Sequence, residues 1–480
     1  MSETIGEMVL PGTYIDVRAE GLIGVGGISS GNVGIVGTAK RGPVGEAVLL
    51  GSYSEALDTF GSYDAWPSGT TQNALTLTRA LEQLFNGGAN TVYAVRVANG
   101  ASYAANNTVK WNATAVITAV TKTLFQLAAK SAGTWANDIQ TTLTADPPGS
   151  PTSVTLTLKL GQRKEEFTAG SAEALFNAVN DGSALVSATA LDNTNKASLP
   201  EAVTKVAGTI TDGVPFTSAD AKSGLDVLAN KPVNIVMVAG KDSGSSTDFG
   251  VGAALLQHLD ATENDGRERI GVVGADSDLP ANITIPGTTG RLVVVAPGMV
   301  ADDAARSGAN TSVNLPASYT AALVAGRLAS TPVQVSLTNK EVAATNVTRE
   351  YTRAELKALL GKNVFAIKRD LGLRALKGIT TDNGAFKQIS VRRIVDYAKA
   401  GVRVGANPYI GRLNNARVRA ALKATLDGFL SGMVLDEMLT GYALDVSASR
   451  QQEINGIALV TMTLQPTFSI DFIKVIMNLE

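Results

Sequence analysis

Leu77-Thr-Arg-Ala-Leu-Glu-Gln-Leu-Phe-Asn-Gly-Gly-Ala-Asn-Thr-Val-Tyr-Ala-Val-Arg-Val97 changes its hydrophobic period partway along. Leu77, Leu81, Leu84 and Phe85 lie on one stripe, the mark of an amphipathic helix. Gly87-Gly88 stops that helix, and Val92-Tyr-Ala-Val-Arg-Val97 follows as a short apolar strand. Upstream, Val33-Gly-Ile-Val36 reads as a buried strand and Lys40-Arg-Gly-Pro43 as a turn. Ser52-Tyr-Ser-Glu55 is a capping box that opens a short helix closed by Gly61. Strands alternating with helices in this way define the α/β class.

Outward from that stretch the texture changes and then returns. Between about 104 and 212 Thr, Ala, Asn and Ser dominate, with alternating runs at Leu124-Phe-Gln-Leu127, Ile139-Gln-Thr-Thr-Leu143 and Val154-Thr-Leu-Thr-Leu-Lys-Leu160. Asp146-Pro-Pro-Gly-Ser-Pro151 is a turn between two of them, and one helix is expected near Ala172 to Asn180. From about 214 the α/β grammar resumes, with apolar strands in Pro232–Ala239, Arg269–Val273 and Arg291–Ala296 and a helix over Tyr319–Leu328. The same grammar on both sides predicts a discontinuous α/β core that carries a mostly β insertion, within an α+β multidomain chain. A length of 480 residues, too long for one ordinary domain, agrees.

Composition excludes several functions. There is no cysteine, hence no disulfide, thiolate metal site or thiol nucleophile. The single histidine, His258, lies in the apparent amphipathic helix Gly250–Asp260, a setting for an ordinary helix residue rather than a catalyst or zinc ligand. Gly24-Val-Gly-Gly27 resembles a dinucleotide loop only loosely, and Gly240-Lys241 and Gly361-Lys362 do not complete a phosphate loop. Asp276 and Asp278 follow a strand, where an α/β active site can lie, but paired Asp there is usually turn chemistry. No enzyme activity, cofactor or metal is expected. A net charge of -2 argues against nucleic-acid binding by overall charge. No apolar run is long enough to span a bilayer, and the acidic start Met1–Glu7 does not read as a signal peptide, so synthesis and folding in a cytoplasm are expected.

Charge is nevertheless uneven. Between Lys340 and Lys423 there are 18 Lys/Arg against 6 Asp/Glu, an excess of 12, and the remainder of the chain is correspondingly acidic. Two helices would carry Arg392, Arg393, Lys399 and Arg403 on one and Arg417, Arg419 and Lys423 on the other, with Val418, Leu422, Leu426 and Phe429 as the second helix's core stripe. Such an asymmetry suggests a face aimed at an acidic partner, although the commonest fate of charge is a solvated surface.

The two ends carry strand patterns. Val9-Leu-Pro-Gly-Thr-Tyr-Ile-Asp-Val17 favours an edge strand after Pro11. In Phe468-Ser-Ile-Asp-Phe-Ile-Lys-Val-Ile-Met-Asn-Leu-Glu480, Ile473, Val475, Met477 and Leu479 alternate with mostly polar residues, Ile476 excepted. An apolar strand at a terminus either closes the chain's own sheet or joins another chain by β-augmentation.

Read together, these pieces resemble a contractile phage tail sheath protein. Leu10–Val17 resembles the family's Pro-Gly-Val/Thr-Tyr opening, Val33–Val44 the strand and Gly-Pro turn after it, and Leu84–Val97 its Asn-Gly-Gly strand stretch. Ala129-Lys-Ser-Ala-Gly-Thr-Trp-Ala-Asn137 resembles the Gly-Thr-Trp-Gly-Asn element of the inserted domain, with Ala136 for Gly. Gly378-Ile-Thr-Thr381, Val391–Tyr397 and Asn407-Pro-Tyr-Ile-Gly-Arg-Leu-Asn-Asn415 are similar to successive C-terminal elements.

The resemblance implies a structural subunit that stacks as hexameric rings around an inner tail tube and contracts to drive the tube through a target cell envelope. It divides the chain into a linker arm over 1–22, a discontinuous sheath domain over 23–103 and 213–340, a peripheral insertion over 104–212, and a tube-facing C-terminal domain over 341–480. Inter-subunit β-augmentation would use Val9, Tyr14, Ile15, Val17, Phe472, Ile473, Val475, Met477 and Leu479, and the seven basic residues above would face the tube. Implied partners are further copies of the chain, the tail tube protein, and baseplate and tail terminator proteins, without direct nucleic-acid contact or stable membrane association. The implied location is the virion tail, assembled in the host bacterial cytoplasm. The alternative is a non-contractile virion or surface structural protein.

Overall fold

The computed structural model describes residues 28–66, 75–100, 102–244, 250–308 and 311–478. The first elements are β1 (Val33–Gly37), β2 (Ala47–Leu50), α1 (Tyr53–Phe60), α2 (Leu77–Asn86), β3 (Val92–Arg96) and the one-turn α3 (Tyr103–Asn106). A β-rich stretch follows: β4 (Lys110–Ile117), β5 (Val120–Ala129), β6 (Gln140–Asp146), β7 (Ser153–Leu160), β8 (Arg163–Ala169), α4 (Ala172–Gly182), β9 (Val186–Thr189) and β10 (Ala202–Lys205). Then come α5 (Ser218–Leu228), β11 (Ile235–Val238), α6 (Gly252–Asn264), β12 (Ile270–Gly274), β13 (Leu292–Ala296), β14 (Met299–Asp302), β15 (Ser312–Leu315) and α7 (Ala317–Ala329). The last are β16 (Asn346–Val347), α8 (Arg353–Gly361), β17 (Phe365–Arg369), β18 (Leu373–Ala375), α9 (Ile389–Ala406), α10 (Ala416–Leu435), β19 (Leu439–Ser447), α11 (Arg450–Ile454) and β20 (Leu459–Pro466).

The mixed α/β class holds. The principal sheet runs β18-β17-β13-β12-β11-β1-β3-β2, parallel from β17 to β3 and bordered by an antiparallel strand at each edge. β1, β12 and β13 are buried along their whole length, as strands covered on both faces must be. The sheet is assembled from both sides of the β-rich stretch, because β3 and β11 both flank β1. It also crosses the boundary expected at residue 340. β17 pairs with β13, so the basic stretch Lys340–Lys423 is shared between this sheet and the helices after it. The buried run Val364-Phe-Ala-Ile367 passes directly into Lys368 and Arg369 within the basic stretch, which hides that strand in the sequence.

Local chemistry explains the helix ends. Ser52 Oγ accepts from Glu55 N at the start of α1, while Glu55 reaches back to Gly51 N at 2.8 Å rather than to the cap itself. Of the two glycines after α2, Gly88 has φ +101°, a turn conformation open to glycine. Gly87 is required for space: a Cβ there would lie 2.3 Å from Leu323 O on α7, and one at Gly326 would lie 2.0 Å from Leu84 O. The backbones of α2 and α7 therefore touch.

In the β-rich stretch, the sheets β10-β4-β5-β9 and β6-β7-β8 share one apolar cluster that includes Trp111, Phe125, Leu127, Trp135, Leu156 and Leu175. Its joint to the principal sheet is polar. Arg96, fully buried at the end of β3, donates from Nη1 to Gly42 O and Ala132 O, each at 2.8 Å. Its Nη2 donates to Tyr103 Oη at 3.2 Å. Asp212 accepts from Thr134 N at 2.7 Å and from Thr134 Oγ1 at 2.8 Å. The Lys40–Pro43 turn, Arg96 and Gly133-Thr134-Trp135, far apart in sequence, thus meet at one place.

His258 is buried on α6 and has a structural role. Its Nε2 lies 2.9 Å from Arg269 Nη1; since guanidinium only donates, the ring must accept there and carry its proton on Nδ1. Burial, reinforced by the Arg269 charge, lowers its pKa to about 4. A folded pKa below the unfolded one gives stability that is complete above about pH 6.5 and is lost as pH falls toward about 4. His258→Gln keeps an acceptor without the titration. Melting temperatures of the two proteins should converge or cross over this window, a change on the order of 3 kcal/mol; parallel curves would contradict it. Asp276 and Asp278 are engaged in loop hydrogen bonds, Asp276 with Thr284 N at 2.9 Å and Asp278 with Gly298 N at 3.0 Å and Thr348 Oγ1 at 2.6 Å.

Candidate functional site: linker and hairpin of the C-terminal region

Beyond β18 the chain builds an antiparallel helix pair and a hairpin. α10 carries its expected stripe: Leu422 and Leu426 are buried, Val418 and Phe429 half-buried. Tyr397 and Phe429 rings, with centroids 5.9 Å apart, join α9 to α10. Asn415 caps α10 by accepting from Val418 N at 2.9 Å.

β19 and β20 form a two-stranded antiparallel sheet, in register from Gly441↔Gln465 to Ser447↔Leu459 and shifted by one residue before Leu439↔Pro466. Tyr442, Leu444, Val446, Val460, Met462 and Leu464 join the apolar clusters under α9 and α10. Alternate residues such as Asp445, Thr461 and Thr463 face outward. Neither outer edge of this hairpin pairs with another strand among the described residues. Open edges are templates for an added strand.

The chain then leaves the hairpin as a tail. Thr467 N donates to Met438 O at 3.0 Å, and Asp471 is gripped by Lys377 Nζ at 2.9 Å, Gln388 Nε2 at 3.2 Å and Thr338 Oγ1 at 3.3 Å. Burial raises the Asp471 pKa, but the hydrogen bond and charge of Lys377, with Ser469 and Gln388, outweigh it and hold the carboxyl below its usual range. Beyond it Phe472, Ile473, Val475, Ile476 and Met477 are 73–86% exposed. Among the described residues the strand expected over this tail is not formed: residues 467–478 pair with none of the described sheets. A period-2 pattern specifies a face to be covered, and none of the described residues covers it. Val9, Tyr14, Ile15 and Val17, Leu479, and the Gly24–Gly27 run lie outside the described residues.

The basic set divides, and part of it needs correcting. Arg392 and Arg393, each 5% exposed, are internal rather than facing outward. Arg392 pairs with Asp396, which also binds Arg291 at 3.0 Å; Arg291 in turn holds Glu263 on α6 at 2.5 Å. The Arg291 hydrogen bond is the main reason the Glu263 pKa falls to about 2, against the opposing effect of burial. Lys399 reaches Glu263 at 3.4 Å and Glu268 at 3.6 Å, and Arg403 forks onto Glu268, so both are tied to acids of the same subunit. Arg419 pairs with Glu453 at 2.9 Å. Arg417 and Lys423 are exposed on α10, Lys423 with a loose 3.5 Å contact to Asp445. The acids that pair this set are Asp396 on α9 itself and, remote in sequence, Glu263 on α6, Glu268 between α6 and β12, Glu453 on α11 and Asp445 on β19.

This arrangement belongs to a known class. The chain has the fold of sheath tail proteins. It superimposes on one from Listeria innocua with TM-score 0.68 and 16% identity over 94% of this chain and 95% of the other. A sheath tail protein of Desulfitobacterium hafniense gives 0.63 and 17% over 95% and 100%. The helical sheath of the anti-feeding prophage in its contracted state gives 0.55 and 14% over 98% and 99%. Residues 381–480, with the helices, hairpin and tail, match the family model of the phage tail sheath C-terminal domain, and the resemblance read from the sequence holds. Among curated proteins no sequence matches.

Proposed function

We propose that the chain is the structural subunit of a contractile tail sheath. Copies stack as hexameric rings around an inner tube and contract to drive that tube through a target cell envelope. The observation that carries this reading is the bare apolar tail 472–478 leaving a sheath fold beside a hairpin with open edges. The tail of one copy adds to the hairpin of another, with main-chain hydrogen bonds for affinity and the alternating side chains for register. Further partners are a tail tube protein, a baseplate and a tail terminator. The β-rich stretch from about 104 to 212 is a peripheral insertion, and the particle is assembled in the host cytoplasm. Expression of the chain alone, followed by sedimentation, tests the reading. A fast-sedimenting polymer formed without nucleotide or metal is expected; a strictly monomeric protein at high concentration contradicts it.

Tube contact rests on Arg403, Arg417 and Lys423, the exposed members of the basic set, with Arg392 and Arg393 reassigned to the interior. Each exposed ion pair is worth only about 0.2–1 kcal/mol, but repetition around a ring multiplies it. Arg417→Glu with Lys423→Glu should reduce co-assembly with the tube severalfold, more so at low salt, and leave empty sheath unaffected. Unaltered co-assembly across a salt series would remove these residues from the tube face.

A further inference from the structure

One helix, α9, touches both ends of the described chain. On the C-terminal side, Asp471 is gripped by Gln388, the N-cap residue of α9, together with Lys377. Gln388 also accepts from Ser469 N through Oε1 at 3.2 Å, so its amide clasps the tail from both sides. On the N-terminal side, Arg393 donates from Nη2 to Ser30 O at 3.2 Å. Its Nη1 donates to Thr331 O at 2.9 Å and Pro332 O at 3.3 Å. The two anchors are five residues apart on α9, or about 7.5 Å of helix rise.

α9 is itself fixed on two further sides. Asp396 and Arg392 tie it to Arg291 beside β13 and to Glu263 on α6, and Tyr397 packs on Phe429 of α10. Arg291 is 2% exposed, so this tie lies where water screens it little. Ile394 and Ala398 are fully buried between these attachments.

We infer that α9 is the strut that sets the two linker roots relative to one another. Gln388 clasps the C-terminal root at Asp471, and Arg393 shares the N-terminal root with Asn234, which accepts from Ser29 Oγ at 3.3 Å and Asn32 N at 3.1 Å and donates to Ser29 O at 3.0 Å, so part of a pull on either linker in a polymer passes through the helix. The inference rests on the reading that both linkers pair with neighbouring copies, and it assigns residues to the transmission of force between them.

The absence of native cysteine permits a direct test. Ser29→Cys and Ile470→Cys, both at exposed positions, receive spin labels for a distance measurement in the soluble subunit and in the polymer. A single narrow distribution, the same in both states, is expected. Gln388→Ala with Asp471→Asn should broaden it at least about twofold, leave circular dichroism unchanged, and give shorter, irregular polymers. These positions are used because Arg393→Met strips three backbone carbonyls of their donor and risks the fold. A broad distribution in the parent, one unchanged by the clasp substitutions, or a different distance after polymerisation would overturn the strut. Failure of the parent to polymerise would overturn the linker reading itself, and the strut with it.

Discussion

A chain ending at Asp471 should fold as well as the full-length protein and should not polymerise. It keeps the hairpin, the Lys377 and Gln388 clasp and every element of the principal sheet, and loses only exposed side chains, of which Phe472 alone touches the clasp, with Lys377 Nζ 5.2 Å from its ring centroid. Exposed groups contribute little to a subunit's own stability, within about 0.5 kcal/mol per side chain, so its melting temperature should stay within about 2 °C of the parent. In a polymer the same residues have much to gain. Each ladder hydrogen bond is worth about 0.5–1.5 kcal/mol net, and each Ile, Val or Met covered about 1.5–3 kcal/mol. Ordering the tail costs about 1–2 kcal/mol per residue, which those gains must exceed. Sedimentation and calorimetry of the truncated chain check both halves. A truncated protein that polymerises normally, or that precipitates unfolded while the parent is soluble, would refute the linker role.

The largest expected loss of stability is at Asp303. Its carboxylate is fully buried, accepts from Trp66 N at 2.6 Å and Ala305 N at 3.0 Å, and pairs at 3.3 Å with Arg79, itself only 1% exposed. Arg79 lies over the Tyr63 ring, 3.9 Å from its centroid, and donates to Asp64 O at 2.8 Å. Asp303→Ala leaves a guanidinium in the interior without its counter-charge and strips Trp66 N of its acceptor. Breaking one side of a buried pair costs about 3–5 kcal/mol. Asp303→Asn, which can still accept from Trp66 N, should cost less, and an apolar replacement of both partners less than the sum of the two single losses. Denaturant titration followed by tryptophan fluorescence reads the order. An Asp303→Ala protein within about 1 kcal/mol of the parent would show that Arg79 finds other compensation.

What could be read from the sequence followed from how local each signal is. Val33–Val36 and Leu292–Ala296 were legible because a strand buried on both faces is an uninterrupted apolar run. The helix over Leu77–Asn86 and the caps at Ser52 and Gly61 were legible because their chemistry spans three or four residues. Arg96 was not, since its partners Gly42 and Ala132 are remote in sequence and a buried arginine looks like any other charge. The same limit misplaced Arg393, whose carbonyl acceptors Ser30, Thr331 and Pro332 are remote in sequence, whereas Arg392 has its acid Asp396 one turn further along α9, a local pair. At the C-terminus the pattern identified Ile473, Val475 and Met477 as one face, but only the fold showed that the chain leaves that face bare.

The most direct test is electron cryo-microscopy of the polymer formed by the full chain. Hollow, striated tubes are predicted, with residues 472–478 seen as a strand added to the β19–β20 hairpin of an adjacent copy. Tubes in which that tail folds back onto its own subunit, or neighbours that meet without engaging the hairpin, would contradict the account.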